Sequence, residues 1–287
     1  MKLSVTIAGE GAKDTAFVVW RGFGQSIQKA SAYGYDGVEL ALKDSSEIDE
    51  DRLGEWLEQY SMEVSCISTG QVFADRGLYF THPDENIRRQ AIEVFKGLIR
   101  LASRYGKVVN IGRTRGYVAN GVSRRDTEQL FIGTMREICR IAAEYDVEMI
   151  LEPVNRYEIN FVNSLDEGAA LLARAGCANC GLQPDTFHMN IEDDRIGDSL
   201  IRNRQWVRYL HVADSNRYAP GMGHLDFDEV FGALKTIGYD GWICTEILPG
   251  KDPDRMAQAA VRYLKPRVAE YNNCRKHGKK EITEWKN

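Results

Sequence analysis

Four hydrophobic runs in this chain each end in a residue able to hold a metal ion. They are Val147-Glu-Met-Ile-Leu-Glu152, Cys180-Gly-Leu-Gln-Pro-Asp185, Val207-Arg-Tyr-Leu-His211 and Trp242-Ile-Cys-Thr-Glu246. Their last residues lie 33, 26 and 35 positions apart, each interval about one strand-plus-helix unit. Successive parallel strands of a closed barrel end on the same face, so two Glu, one Asp and one His would converge there. Three carboxylates and one imidazole make a hard-metal site the first reading of this pattern.

The same alternation runs from end to end. Strands are expected at Leu3–Ala8, Gly37–Ala41, Val64–Thr69, Val108–Gly112, Val147–Glu152, Cys180–Asp185, Val207–Ala213 and Trp242–Glu246. Amphipathic helical patterns lie between them, among them Ile87–Tyr105, Asp126–Tyr145, Leu165–Ala175 and Phe227–Ile237. Asp84 and Ser164 are plausible N-caps. Tyr33-Gly-Tyr-Asp-Gly37, Tyr105-Gly106 and Ile237-Gly-Tyr-Asp-Gly241 put Gly where a helix must stop before the next strand. Eight such units predict an α/β chain folded as a (β/α)8 TIM barrel. A doubly wound sheet would carry a Gly-rich phosphate turn after its first strand, and Gly9-Glu-Gly11 is too sparse for one. With no composition break, residues 1–273 read as one barrel domain and 274–287 as a polar C-terminal tail.

With 43% hydrophobic residues among 287, the chain can bury a full core. A net charge of −5 argues against a nucleic-acid binder, which usually presents a basic face. No apolar run approaches the ~20 residues that span a bilayer. Met1-Lys-Leu-Ser-Val begins directly as a strand, so a cytoplasmic location and no membrane partner are expected. The six cysteines read as free thiols; Cys177-Ala-Asn-Cys180 has no second pair to complete a zinc site.

Pro153 ends strand pairing just after Glu152, and Glu158 follows, either over the barrel mouth or on a surface cation. Gln183 shares a strand face with Asp185 and should fill an inner barrel layer. His188 follows Asp185 by three residues, which suggests a ligand and a substrate contact on one loop. A neutral His211 imidazole can join carboxylates at a Mn²⁺, Co²⁺ or Mg²⁺ site. Arg217, in the loop after it, is the candidate for substrate oxygens, while His224 has no clear place. Glu152 and Glu246, from different strands, can hold a metal and act on opposite faces of a substrate. One base would remove a proton next to a ketone and the other return it, with the metal stabilising the enediolate oxygens.

Glu152-Pro-Val-Asn-Arg-Tyr-Glu158, Asp185-Thr-Phe-His188, His211-Val-Ala-Asp-Ser-Asn-Arg217 and Glu246 resemble the ketose 3-epimerases, D-tagatose and D-psicose 3-epimerases included, of the xylose-isomerase-like barrels. The resemblance covers nearly the whole chain. It implies Glu152, Asp185, His211 and Glu246 on one divalent ion, usually Mn²⁺ or Co²⁺, with Glu152 and Glu246 as the proton-transferring pair. It also implies Glu158, His188 and Arg217 on the O1 to O3 region of a sugar, and a homodimer or homotetramer. A narrower set resembles the branch that epimerises 5-keto-L-gluconate to D-tagaturonate. It comprises Ser68-Thr-Gly-Gln71, Leu78-Tyr-Phe-Thr-His-Pro83, Gly112-Arg-Thr-Arg-Gly116 and Ala213-Asp-Ser-Asn-Arg-Tyr-Ala-Pro220. Neutral-sugar enzymes usually have an aromatic loop after the fourth strand, where this chain has Arg113 and Arg115. An arginine fork there suits a substrate carboxylate or phosphate, unless the pair serves surface acids. Gln71 is either a polar substrate contact or a solvated loop amide.

A metal-dependent epimerase of a ketose or keto-sugar acid is therefore the favoured expectation. Neutral ketohexose and ketose-phosphate epimerases, an aldose–ketose isomerase and an inosose dehydratase are its rivals on the same barrel. A three-zinc DNA-repair endonuclease would need more than the five His present. A non-catalytic sugar-binding barrel would not need both Glu152 and Glu246.

Overall fold

The computed structural model describes residues 1–13 and 16–284, with side chains described as far as Arg275. It opens with β1 (Lys2–Ala8), β2 (Trp20–Arg21), α1 (Phe23–Tyr33), β3 (Gly37–Ala41), α2 (Glu50–Tyr60) and β4 (Glu63–Ser68). The middle of the chain forms α3 (Gly70–Arg76), α4 (Glu85–Arg104), β5 (Val108–Ile111), α5 (Arg124–Ala143), β6 (Glu148–Leu151) and α6 (Leu165–Ala175). It closes with β7 (Cys180–Leu182), α7 (Thr186–Glu192), α8 (Ile196–Arg202), β8 (Leu210–Val212), α9 (Phe227–Ile237), β9 (Trp242–Thr245) and α10 (Pro253–Glu284).

The strands pair in the order β7-β6-β5-β4-β3-β1-β9-β8, all parallel. Parallel bridges Leu182 to Val207 and Asp185 to His211 join the two ends of that order. The amide of His211 completes the seam by donating to the Pro184 carbonyl at 2.9 Å. The sheet thus curls into the expected (β/α)8 barrel, with the two-residue β2 as an unforeseen strand beside β1.

Alternation along the strands sorts the side chains. Leu3, Val5, Ile7, Val38 and Leu40 join the main apolar core with the helices. Ser4, Thr6, Glu39, Tyr209 and His211 are buried polar residues whose bonds run from strand to strand. The Tyr209 hydroxyl lies 2.7 Å from Ser65 Oγ and 3.3 Å from Ser4 Oγ, plugging the barrel two residues below His211. Outside, α4 buries Ile92, Val94, Phe95, Leu98, Ile99 and Leu101, each large apolar side chain stabilising the fold by roughly 1.5–3 kcal/mol.

The expected caps form: Asp84 accepts from Asn86 N and Ser164 from Glu167 N. Gly34 and Gly238 end α1 and α9 with left-handed φ of 94° and 67°, which a residue with a Cβ resists. The expected tail differs. Residues 274–284 continue α10, and Arg275 donates to the carbonyls of Gly238 and Tyr239 at 3.0 and 2.8 Å. Residues 285–287 lie outside the described residues. Among those described, no helix is long and apolar enough to cross a membrane.

Close strand approach at the barrel's lower rim requires Gly37. A Cβ there would sit 2.5 Å from the Glu63 carbonyl oxygen and 2.8 Å from the Trp242 ring. Gly37→Ala should destabilise the fold by roughly 1–3 kcal/mol, as overpacking against unyielding backbone does. In urea titrations the midpoint should fall with the slope unchanged; an unmoved midpoint would refute the packing argument.

Candidate active site

The four predicted ligands meet. Glu152, Asp185 and Glu246 follow β6, β7 and β9, whereas His211 sits inside β8. One donor atom from each lies within 4.8 Å of the other three. His211 Nδ1 is 3.1 Å from Glu152 Oε1, 3.6 Å from Glu246 Oε2 and 3.8 Å from Asp185 Oδ2. Asp185 is fixed by its cap on α7, where Oδ1 accepts from the Phe187 amide at 2.8 Å.

Arg217 is the countercharge. One guanidinium nitrogen lies 2.9 Å from Asp185 Oδ2 and the other pairs with Glu246 Oε2. The guanidinium is sandwiched between the Phe17 and Phe187 rings, 4.4 and 4.7 Å from their centroids. Burial and its neighbours split the two glutamates. Burial pushes the Glu246 carboxyl up to about 8, and the nearby Glu152 and Asp185 charges add to the push against His211 and Arg217. Burial pushes Glu152 the same way, but the His211 hydrogen bond and the His211, His188 and Arg217 charges prevail and hold it at about 2. Burial also lowers His188, keeping it neutral.

These residues fit a divalent ion. Three carboxylate oxygens and one imidazole nitrogen form a hard donor set. Buried Asp185 Oδ2 pairs with the Arg217 guanidinium at 2.9 Å but accepts no aligned hydrogen bond among the described residues, so it keeps acceptor capacity beside the other three donors. A cation there would relieve the repulsion that raises Glu246.

Below the cluster, Asn110 Nδ2 donates to Gln183 Oε1 at 3.0 Å and to Glu152 Oε2 at 3.3 Å, so Gln183 does occupy the inner layer. Glu39, in the middle of β3, reaches His211 Nε2 at 2.9 Å. Sequence reasoning missed Glu39 and Asn110. The signal was a carboxylate at a central position of the five-residue run Gly37–Ala41, every residue of which is buried.

The cleft above is lined by Glu158, His188, Arg217, Gln71 and Arg113 from the expected set, and by Lys13 and Phe17 from the loop after β1. Asn155 Nδ2 lies 3.0 Å from Glu158 Oε1 and 2.8 Å from His188 Nδ1, tying the two together. Gln71 is buried, and its Oε1 accepts no hydrogen bond. The Arg113 guanidinium lies 5.8 Å from the Phe73 ring centroid and pairs with no carboxylate among the described residues. The expected fork with Arg115 does not form. Arg115 is fully buried and donates to the carbonyls of Phe161, Val162, Gly112 and Glu152 at 2.8, 2.9, 3.0 and 3.0 Å. It braces the loop that carries Glu152 by tying these carbonyls together; those of Gly112 and Val162 also accept from the Arg115 and Val154 amides. His224 is exposed, and its backbone amide donates to Ser215 Oγ. Buried Asp214 organises that loop by accepting from the amides of Ser215, Gly221 and Leu225.

The profile of the xylose isomerase-like TIM barrel family matches residues 27–267. An L-ribulose 3-epimerase of Methylomonas sp. is 28% identical over 85% of this chain and 91% of its own. A probable ketose 3-epimerase of Synechocystis sp. is 27% identical over 79% of both chains. The crystal structure of a D-allulose 3-epimerase from Methylomonas sp. in complex with D-allulose superimposes with a TM-score of 0.79 at 25% identity. It covers 93% of this chain and 97% of that one.

The protein stripped of metal should take up one Mn²⁺ or Co²⁺ per chain, and Asp185→Asn should abolish the uptake. At a hundredfold excess over its Kd, the ion should stabilise the fold by about 2.7 kcal/mol. Mass-spectrometric metal counting decides: zero ions, or two or three, contradicts the assignment. The two arginines should part in stability. Arg115→Met takes the guanidinium from four carbonyls, of which Gly112 and Val162 keep a backbone donor, and should cost at least ~2 kcal/mol, whereas Arg113→Met should stay within about 0.5 kcal/mol. Chemical denaturation of both variants distinguishes brace from cleft residue; equal losses would undo the distinction.

Proposed function

The chain belongs to the xylose isomerase-like TIM barrel family, and on that premise we propose that it is a metal-dependent carbohydrate epimerase. It inverts the carbon next to the ketone of a ketose or keto-sugar acid. One observation carries the reading. Two glutamates from different strands, Glu152 and Glu246, stand in the same cation-binding cluster and both line the cleft, beside His188 and Arg217. A binding barrel has no use for two such groups, whereas inversion needs two, one for each face of the substrate carbon.

The proton next to the ketone passes to the carboxylate of one glutamate as its C–H bond breaks. The other glutamate delivers a proton to the opposite face as the new C–H bond forms. The pair is then reset by exchange with solvent. Bound Mn²⁺ or Co²⁺, with Mg²⁺ as the alternative, supplies Lewis-acid stabilisation of the charge that develops on the substrate oxygens. Arg217 adds a fixed positive charge on the same side, and Glu158 and His188, tied together by Asn155, orient the hydroxyls beside the reacting carbon.

The far end of the cleft favours an acid. Among the described residues, Arg113 brings a guanidinium with no carboxylate partner and Gln71 an acceptor with no donor. A six-carbon keto-uronate such as 5-keto-L-gluconate or D-tagaturonate offers a carboxylate to the first and a hydroxyl to the second. The names of the relatives support the neutral ketose 3-epimerase as the second reading.

Glu152→Gln and Glu246→Gln should each lower turnover ~10²–10⁴-fold, the usual cost of losing a general base. Deuterium uptake next to the carbonyl in D2O reports the step directly, and a variant that epimerises at near-normal rate would take that glutamate out of the mechanism.

Arg113→Met should lower kcat/KM for the keto-acid by roughly 10- to 150-fold, the worth of one charge-assisted hydrogen bond, and spare D-fructose. Ketose phosphates belong in the same panel, because a phosphate would use the same guanidinium. Equal kcat/KM of the unaltered enzyme for D-fructose and the keto-acids would hand the assignment to the neutral ketose.

A further inference from the structure

We propose that Glu39 is a positioning residue of the cation site: it accepts the Nε2 proton of His211 and thereby turns the Nδ1 lone pair toward Glu152, Asp185 and Glu246. The inference deepens the metal reading above and rests on it.

The geometry is one-sided. Glu39 stands in the middle of β3 with no solvent exposure. Its Oε2 lies 2.9 Å from His211 Nε2, and its Oε1 accepts from Thr6 Oγ1 at 3.4 Å. No lysine or arginine forms an ion pair with it among the described residues, so the imidazole is its one charge-capable partner within that reach. A buried carboxylate is costly to desolvate and persists only where a donor meets it.

An imidazole that holds a cation keeps one N–H, and three carboxylates lie where they would draw it to Nδ1, at 3.1, 3.6 and 3.8 Å. A proton there would block the nitrogen that faces the other ligands. Glu39 is the opposing carboxylate on the far side of the ring, and it holds the proton on Nε2. Gln183 Nε2 lies 2.9 Å from one ring nitrogen and 3.0 Å from the other, so it does not choose between them. Carboxylates behind metal-binding imidazoles set tautomer and ring orientation in this way, and removing one typically costs ~10–100-fold in metal affinity.

Cys244 also lies near Glu39 and His211. Its thiol is a soft donor within 3.4 Å of Thr6 Oγ1, out of keeping with a hard-cation site, so the Glu39, His211 and Cys244 group reads as support for the site above.

The test uses the full chain stripped of metal, with Co²⁺ as the titrant followed by its visible absorption. Glu39→Gln keeps the volume and removes the charge. Its Kd for Co²⁺ should rise about 10- to 100-fold, while the melting temperature of the metal-free protein stays near that of the unaltered chain. A Kd within twofold overturns the role of Glu39 alone. Failure of the unaltered chain to bind Co²⁺ overturns the metal reading and this one with it. If Glu39→Gln does not fold, ¹⁵N resonances of His211 in the unaltered Zn²⁺-loaded protein decide. Metal on Nδ1 with hydrogen on Nε2 is the expected pattern, and metal on Nε2 refutes it.

Discussion

Everything at the barrel mouth depends on one problem of charge. Glu39, Glu152, Asp185 and Glu246 crowd around a single imidazole, and the nearest fixed cation is Arg217. Like charges this close in a dry interior repel strongly, so the arrangement stands only with cations to match it. Arg217 supplies one, at a cost visible in its backbone: φ is 62°, a left-handed conformation that disfavours a residue with a Cβ. Its amide donates to the Asp214 carbonyl, its carbonyl accepts from the Leu248 amide, and two aromatic rings clamp its guanidinium. That much fixation is the signature of a group held for use, and the charge it leaves unmatched is what a divalent ion would supply.

The barrel answers the problem with rigidity. The ligands stand in or just past strands whose hydrogen bonds run around a closed ring, so none can retreat from the others. Arg115 extends that rigidity upward. By donating to the carbonyls of Gly112, Glu152, Phe161 and Val162 it ties the β5 and β6 loops together and sets where the Glu152 side chain starts. Burial lowers its own pKa to about 10, still far above neutrality, so it remains charged without a carboxylate partner. A cation satisfied entirely by backbone carbonyls stiffens the site without neutralising it.

What was legible in the sequence follows from what is periodic. Leu165–Ala175 and Phe227–Ile237 match their helices residue for residue, because a capping Ser or Asp and a terminal Gly bracket an amphipathic run. All eight barrel strands stand where alternation placed them, and the four ligands are where strand ends had to meet. Features without a period escaped: α7 and α8 are seven-residue helices within loops, too short to show a face. Glu39 looked like one acid among many, since a strand pattern reports which positions are buried and not which partner waits across the barrel. Arg115 was misplaced for the same reason. Two arginines one residue apart look alike in one dimension, yet a tight turn over Arg113–Arg115 sends one into the cleft and the other into the wall.

On the proposed reading, chemistry and selection sit on different parts of the molecule. The proposed proton-transferring pair and the candidate cation donors belong to the ring of strands, whereas Gln71, Arg113, Lys13 and Phe17 belong to the loops and short helices above it. A loop can change without disturbing the ring, which is how one barrel serves many sugars. Gln71 would give the sharper discrimination of this set. A half-buried cation such as Arg113, still reached by water, loses little when no anion arrives, because water replaces the partner. A buried amide oxygen without a donor gains only from a substrate that brings one, and a substrate lacking that hydroxyl leaves it unmatched in a closed cleft. On the proposed reading, Arg113 would set how strongly a charged end is preferred, while Gln71 would set which hydroxyl pattern the cleft accepts.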